Sequence, residues 1–244
     1  MEKYEIISLI PASGGSERIP RKNIKMMAGK PMMAWSIEAS LKSKYITRTF
    51  VSTEDQEIKE IALKYGAEVV DRPAELSEGQ ISIDFALFHL RYHLWKKRYQ
   101  PDYIIFLHPT SPLMTEKHID EAFEMYFNSD FPLLLSVSLT SYSACDTYSI
   151  EENGQLKPVL KIKDRRYYAT KYRNEFHEKP LLYRDDGFLS IGPYHGTDYF
   201  SFSALNGASL AYKTNPEDAI DVNLPIDFQI AEMLLNKRIE KDKK

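Results

Sequence analysis

This chain of 244 residues has a single cysteine, Cys145, which excludes an internal disulfide and any cysteine-built zinc cluster. A lone thiol suits a reducing compartment. Long apolar runs are missing as well, so no segment reads as a bilayer span. The first residues, MEKYEIISLIPAS, set an acidic residue on each side of the basic one and carry too short an apolar run for a signal peptide. The expected location is the cytoplasm, with no membrane partner. No strong excess of either charge is present: 32 Lys and Arg stand against 35 Asp and Glu, a net charge of −3. That balance argues against a nucleic-acid binder held by bulk electrostatics. Two common phosphate signatures are absent too, the Walker loop and the Gly-x-Gly-x-x-Gly fingerprint.

What is present is an ordinary globular composition, 43% hydrophobic and 27% charged, in a chain long enough for one large α/β domain over 1–244. Residues 9–31, LIPASGGSERIPRKNIKMMAGKP, carry the most information. The apolar run Ile6, Ile7, Leu9, Ile10 ends at Pro11 and opens into Gly14, Gly15 and Ser16. Arg18, Arg21, Lys22, Lys25 and Lys30 follow. A strand that breaks into a small-residue loop exposes clustered backbone N–H groups, and added cations make such a loop a cradle for phosphate oxygens. Taken alone, Gly-Gly-Ser is an ordinary turn and the loop a solvated basic one.

Continuous apolar strands alternate with helical patterns through the first half. Strands are expected at Tyr4–Ile10, Thr49–Ser52, Glu68–Val70 and Tyr103–Leu107, with helices at Met32–Leu41, Glu57–Tyr65 and Ile83–Tyr99. That alternation predicts a largely parallel sheet covered on both faces, a three-layer α/β/α domain with Rossmann-like order. Ligands of such sheets lie at the carboxyl ends of the strands, so the loops Pro11–Lys30 and His108–Met114 are expected to share one crevice. After residues 132–139 the pattern changes. Residues 140–185 are rich in Tyr and charge, and Asn153-Gly154 is a hairpin signal. The stretch reads as an inserted arm suited to a protein–protein contact, or as a long surface excursion. Strands are expected again at Gly187–Ile191 and Ser209–Tyr212, and a last helix at Pro225–Lys237.

Six blocks, in order along nearly the whole chain, resemble one family: IPASGGSERIPRKNI (10–24), GKPMMAWSIEAS (29–40), VSTEDQEIKEIALKYGAEVVDRPAEL (51–76), FLHPTSPL (106–113), YRDDG (183–187) and AIDVNLPIDFQIAE (219–232). They are similar to the N-acylneuraminate cytidylyltransferases, the CMP-sialic acid synthetases, relatives of the CMP-Kdo synthetases within the sugar nucleotidyltransferase fold. The resemblance implies transfer of CMP from CTP to an acidic keto-sugar (a sialic, legionaminic or related nonulosonic acid) with release of pyrophosphate. It also implies magnesium and a homodimer, formed here through the 140–185 arm.

The resemblance assigns roles residue by residue. Lys22 is placed on the phosphates and Asp221 on the metal, with Asn223 in the place of a second metal carboxylate. Ala12, Ser13, Gly14, Ser16, Arg18, Asn23, Arg72 and Ser82 line the nucleotide. His108, Thr110, Ser111, Arg184 and Asp186 face the sugar, with Arg184 suited to a carboxylate by its two-pronged geometry. Without the resemblance, Lys22 is a solvated loop cation, Arg72 a turn-flanking surface residue, Ser82 a helix cap and Asp221 a strand-end cap. The chain departs from the family pattern at several of these places. Ser13 and Glu17 replace loop cations, His108 a glutamine, Met114 and Phe176 arginines, Asn223 an aspartate and Asp186 an asparagine. Two other readings therefore stay open: a descendant that binds nucleotide or a partner protein without transfer, and a nucleotidyltransferase with altered sugar or nucleotide choice.

Overall fold

An unbroken apolar strand has to be covered on both sides, and the early strands are. The structure, a computed structural model, describes residues 4–74, 84–140, 148–150, 152, 155–158, 183–195 and 209–243. In chain order the elements begin with β1 (Ile6–Pro11), a 3-10 turn (Lys22–Ile24), the two-residue pair β2 (Met26–Met27) and β3 (Lys30–Pro31), and α1 (Met32–Lys42). There follow β4 (Arg48–Thr53), α2 (Gln56–Lys64), β5 (Glu68–Asp71), α3 (Asp84–Lys96), β6 (Tyr103–Leu107), α4 (Glu116–Phe127) and β7 (Leu133–Leu139). The remainder are β8 (Tyr148–Ile150), β9 (Leu156–Pro158), β10 (Tyr183–Pro193), β11 (Ser209–Thr214) and α5 (Pro225–Asp242).

Seven strands form one sheet in the order β11-β7-β10-β6-β1-β4-β5. β1 pairs in parallel with β4 and β6, and β4 with β5. β10 runs antiparallel to β6, with Leu189 opposite Leu107 and Ile191 opposite Ile105. Alternation along β1 sorts the two faces. Ile6 and Ile10 join a core with Met33 and Ile37 of α1, Ile58 and Ala62 of α2, and Ile119 and Phe123 of α4. Ile7 and Leu9 join Phe50, Ile104 and Phe106 under Leu87, Leu90 and Leu94 of α3. The fold is thus the expected three-layer α/β/α arrangement with a mostly parallel sheet.

α5 belongs to a third cluster. Phe228, Ala231 and Leu235 bury against Ile19, Met27, Met32, Leu113 and Val222, so this helix packs on the loops that follow β1 and β6. Its start is held by Asp227, whose Oδ2 accepts from the N–H groups of Leu224 at 2.7 Å and Asn223 at 3.0 Å. α4 was not among the expected helices, and β10 runs to eleven residues rather than the five expected at Gly187–Ile191.

By its internal contacts the chain divides into two compact units, one of Met1–Val137 with Asp185–Lys244 and one of Ser138–Arg184. In the second, β8 pairs antiparallel with β9, Tyr148 opposite Pro158 and Ile150 opposite Leu156. The Asn153-Gly154 turn lies outside the described residues. No helix among the described residues is long and apolar enough to cross a membrane.

Candidate active site

The β1 loop leaves the sheet at Pro11 and is gripped at once by the carboxyl end of β4. Ala12, fully buried, donates its N–H to the Ser52 carbonyl at 2.9 Å. Glu54 then takes both groups that the next turn offers, the Ser13 hydroxyl and the Gly14 N–H, each at 2.8 Å on Oε1. Its other oxygen accepts from Arg72 Nη2 at 2.9 Å. The adjacent Asp55 caps α2 through the Ile58 N–H at 3.0 Å and lies against Gly14 so closely that a Cβ there would overlap its carboxylate. A side chain at 14 would therefore have to displace the Asp55 carboxylate, whatever the loop binds. Asn23, 5% exposed, donates Nδ2 to the Ser13 carbonyl at 2.8 Å, while its buried Oδ1 has no hydrogen-bond partner.

The loop's cations separate into two groups. Arg21, in the left-handed region at φ 57°, pairs with Asp55 and with Glu57 at 2.6 Å. The Arg21 guanidinium in turn holds the Asp55 carboxyl below its usual range. Lys30 pairs with Glu38 at 2.6 Å and lies 3.5 Å over the Trp35 ring. Lys25 sits 5.5 Å over Phe228. Arg18 and Lys22 turn the other way, toward residues 221–223. Lys22 Nζ donates to the Val222 carbonyl at 2.7 Å, and Arg18 Nη2 reaches Asn223 Oδ1 at 3.5 Å. Asn223 Nδ2 donates to Asp221 Oδ2. Burial pushes the Lys22 amine below its ordinary value of 10.5; Asp221 opposes that shift and Arg18 adds to it.

The β6 loop arrives at the same place. The Thr110 carbonyl accepts from the Val222 N–H at 2.8 Å, so residues 221–223 join the loop after β1 to the loop after β6. Gly187 of β10, at φ 61°, lies beside both. A Cβ on it would stand 3.8 Å from the Asp221 carboxylate and 3.9 Å from His108 Nδ1. Burial lowers the His108 pKa from its ordinary 6.5, against the pull of Asp221, Asp185 and Asp186.

Several expected residues are placed differently. Asp186 is 2% exposed, and its carboxylate accepts from the Ser136 hydroxyl at 2.5 Å, the Thr214 hydroxyl and the Phe188 N–H at 3.2 Å. Ser111, fully buried, donates its hydroxyl to the Gly187 carbonyl at 2.9 Å. Both hold the strand ends together rather than facing a sugar. Met114 is 3% exposed and packs in the core beside α4. Ser16 is half-buried in the loop, and Arg184 is exposed at the start of β10, in the second unit. Ser82 and Phe176 lie outside the described residues. The sequence reading missed Glu54 and Asp55, although their place directly after the carboxyl end of a parallel strand puts them at the end of the sheet where ligands of such folds lie.

The cytidylyltransferase family model matches residues 7–235. The chain belongs to this family. As a cytidylyltransferase it is a nucleotidyltransferase by class, and the relatives it resembles differ in the sugar acid that they name. It is 30% identical to a pseudaminic acid cytidylyltransferase of Campylobacter jejuni over 87% of this chain and 98% of the relative. It is 30% identical to a CMP-N,N'-diacetyllegionaminic acid synthase of Legionella pneumophila over 94% of this chain and 96% of the relative. A solved CMP:2-keto-3-deoxy-manno-octonic acid synthetase complexed with CTP shares the fold at a TM-score of 0.65 and 14% identity, covering 96% of this chain and 99% of that one. In this cytidylyltransferase the parts brought together are the β1 loop, the ends of β4 and β6, Gly187, and residues 221–223.

Proposed function

We propose that the protein transfers CMP from CTP to a nonulosonic or related acidic keto-sugar. The convergence of Lys22 and Arg18 on the Asp221–Asn223 pair carries the reading. Two cations and a metal-suited carboxylate meet where the loops after β1 and β6 are joined, at the carboxyl ends of the parallel strands. A sugar hydroxyl oxygen bonds to the α-phosphorus of CTP, the bond from that phosphorus to the β-phosphate oxygen breaks, pyrophosphate departs and the hydroxyl proton is released. Such transfers ask the protein mainly for positioning and charge neutralisation. Lys22 and Arg18 supply the positive charge. Arg72, tied through Glu54 to the turn at Ser13, bounds the nucleoside side. His108 and Thr110 bound the acceptor side.

The donor set suits magnesium, which takes hard oxygen ligands and needs few of them from protein when phosphates supply the rest. Asp221 and the amide oxygen of Asn223 would hold it, and the ion would neutralise charge on the phosphates. The loop carries fewer cations toward this site than its sequence suggests, because Arg21 and Lys30 are paired elsewhere. A homodimer formed through residues 140–185 and a cytoplasmic location complete the reading; the Tyr- and Arg-rich composition supports the first and the lone cysteine the second.

The test is pyrophosphate release with each of the four nucleoside triphosphates against a panel of keto-sugar acids. Release with CTP alone, dependent on a nonulosonic acid and on magnesium, is expected. Tight CTP binding with no release for any acid would favour the non-catalytic descendant instead.

A further inference from the structure

Glu54 has so far entered only as the tie between Arg72 and Ser13, yet it bonds to groups on both walls of the proposed nucleotide site. It follows the carboxyl end of β4 and is mostly withdrawn from solvent, its side chain 16% exposed, as is Arg72 at 7%. A charge in such surroundings is costly unless paired, and removing one partner leaves the other stranded. The pairing here spans two distant segments. One carboxylate oxygen holds the Ser13 hydroxyl and the Gly14 N–H, and the other holds Arg72. The peptide it grips is fixed from the far side too, since Asn23 donates to the Ser13 carbonyl. That donation orients the Asn23 amide and leaves its buried Oδ1 as an acceptor without a partner. The turn at 13–14 cannot shift without disturbing Asn23 on one side and Arg72 on the other.

We propose that Glu54 is a positioning residue for the nucleotide, whose single carboxylate couples the Ser13–Gly14 turn to Arg72 and so sets the phosphate and nucleoside sides of the site together. The proposal rests on the reading that nucleotide binds between the β1 loop and Arg72. Glu54 need not touch the nucleotide; it acts through the groups that do. It also commits the Gly14 N–H, so this donor is not offered to a phosphate.

Among the contacts described, Glu54 is the group that bonds to both Ser13 and Arg72, so a coupling between them is tested by replacing it. CMP binding by calorimetry to the full chain measures it. Ser13→Ala, Arg72→Lys and the double variant are compared with Glu54 present, and again in a Glu54→Gln background. With Glu54 present the double variant should lose less affinity than the product of the single losses, by about fivefold. With Glu54→Gln the losses should multiply. Glu54→Asp, which keeps the charge but is one methylene short of spanning both arms, should weaken CMP binding while the melting temperature holds. Multiplicative losses with Glu54 present, or a coupling that survives Glu54→Gln, would overturn the proposal. Failure of the unsubstituted protein to bind CMP or CTP would instead overturn the nucleotide reading beneath it, so the two failures are told apart by the first titration.

Discussion

Five cations follow the glycine pair in the sequence, and two of them turn toward residues 221–223. Arg21 and Lys30 find carboxylates on α2 and α1, and Lys25 lies over an α5 ring. Lys22 and Arg18 alone turn to residues 221–223. Spacing along the loop could not separate the two groups, because the deciding partners, Asp55, Glu38 and Val222, come from other elements. The same holds for Asp186, whose position beside Gly187 suggested the sugar but whose carboxylate is taken by Ser136 and Thr214. His108 gives a test at this scale. Burial holds its folded pKa below the unfolded value near 6.5. Below that pH the unfolded chain binds the extra proton first, so stability falls as pH drops from about 6.5 toward the folded pKa. Replacing it by the non-titrating His108→Gln should flatten this acid-side loss. Melting temperatures of the two proteins should then stay parallel from pH 8 to 7 and diverge below 6.5, with the unsubstituted protein falling faster. Parallel curves throughout would contradict the downward shift of the His108 pKa.

At the scale of elements, the site depends on how α5 begins. Asp227 accepts the backbone N–H groups of Leu224 and Asn223, which satisfies two donors at a helix start and fixes Asn223, the residue proposed to offer a second oxygen to magnesium. Asp227→Ala should cost roughly 1 kcal/mol of stability, the usual range for losing such a cap. It should also weaken magnesium-dependent CTP binding more than CMP binding measured without metal. Equal weakening of both would assign Asp227 to the helix alone. The element missing from the sequence reading, α4, has its apolar residues in plain helical order, Ile119, Ala122, Phe123 and Tyr126. Charges at Glu116, Lys117, Asp120, Glu121 and Glu124 dilute that stripe, and the eye passes over it. The strands β1 and β6 were legible because a run apolar at every position has one structural answer in an α/β protein. The antiparallel entry of β10 between β6 and β7 was not, since strand order is decided by packing across the sheet and not by any local pattern.

For the whole molecule, the described residues fall into one α/β/α unit that contains the proposed machinery and a second unit, Ser138–Arg184. The composition of that second unit supports self-association, and light scattering should find a dimer in solution. Deleting residues 140–182 should yield monomers that still bind CMP, because Arg72, Lys22 and Asn23 all lie in the first unit. A concentration-independent monomer of the full chain would refute the dimer without touching the chemistry. The chemistry itself is tested most directly by following the label from CTP carrying radioactive phosphorus at the α-position or at the γ-position, incubated with magnesium and a nonulosonic acid. The α-label should appear in a sugar–CMP product and the γ-label in pyrophosphate. An α-label that stays in CTP, or leaves as CDP or free CMP without joining the sugar, would contradict it.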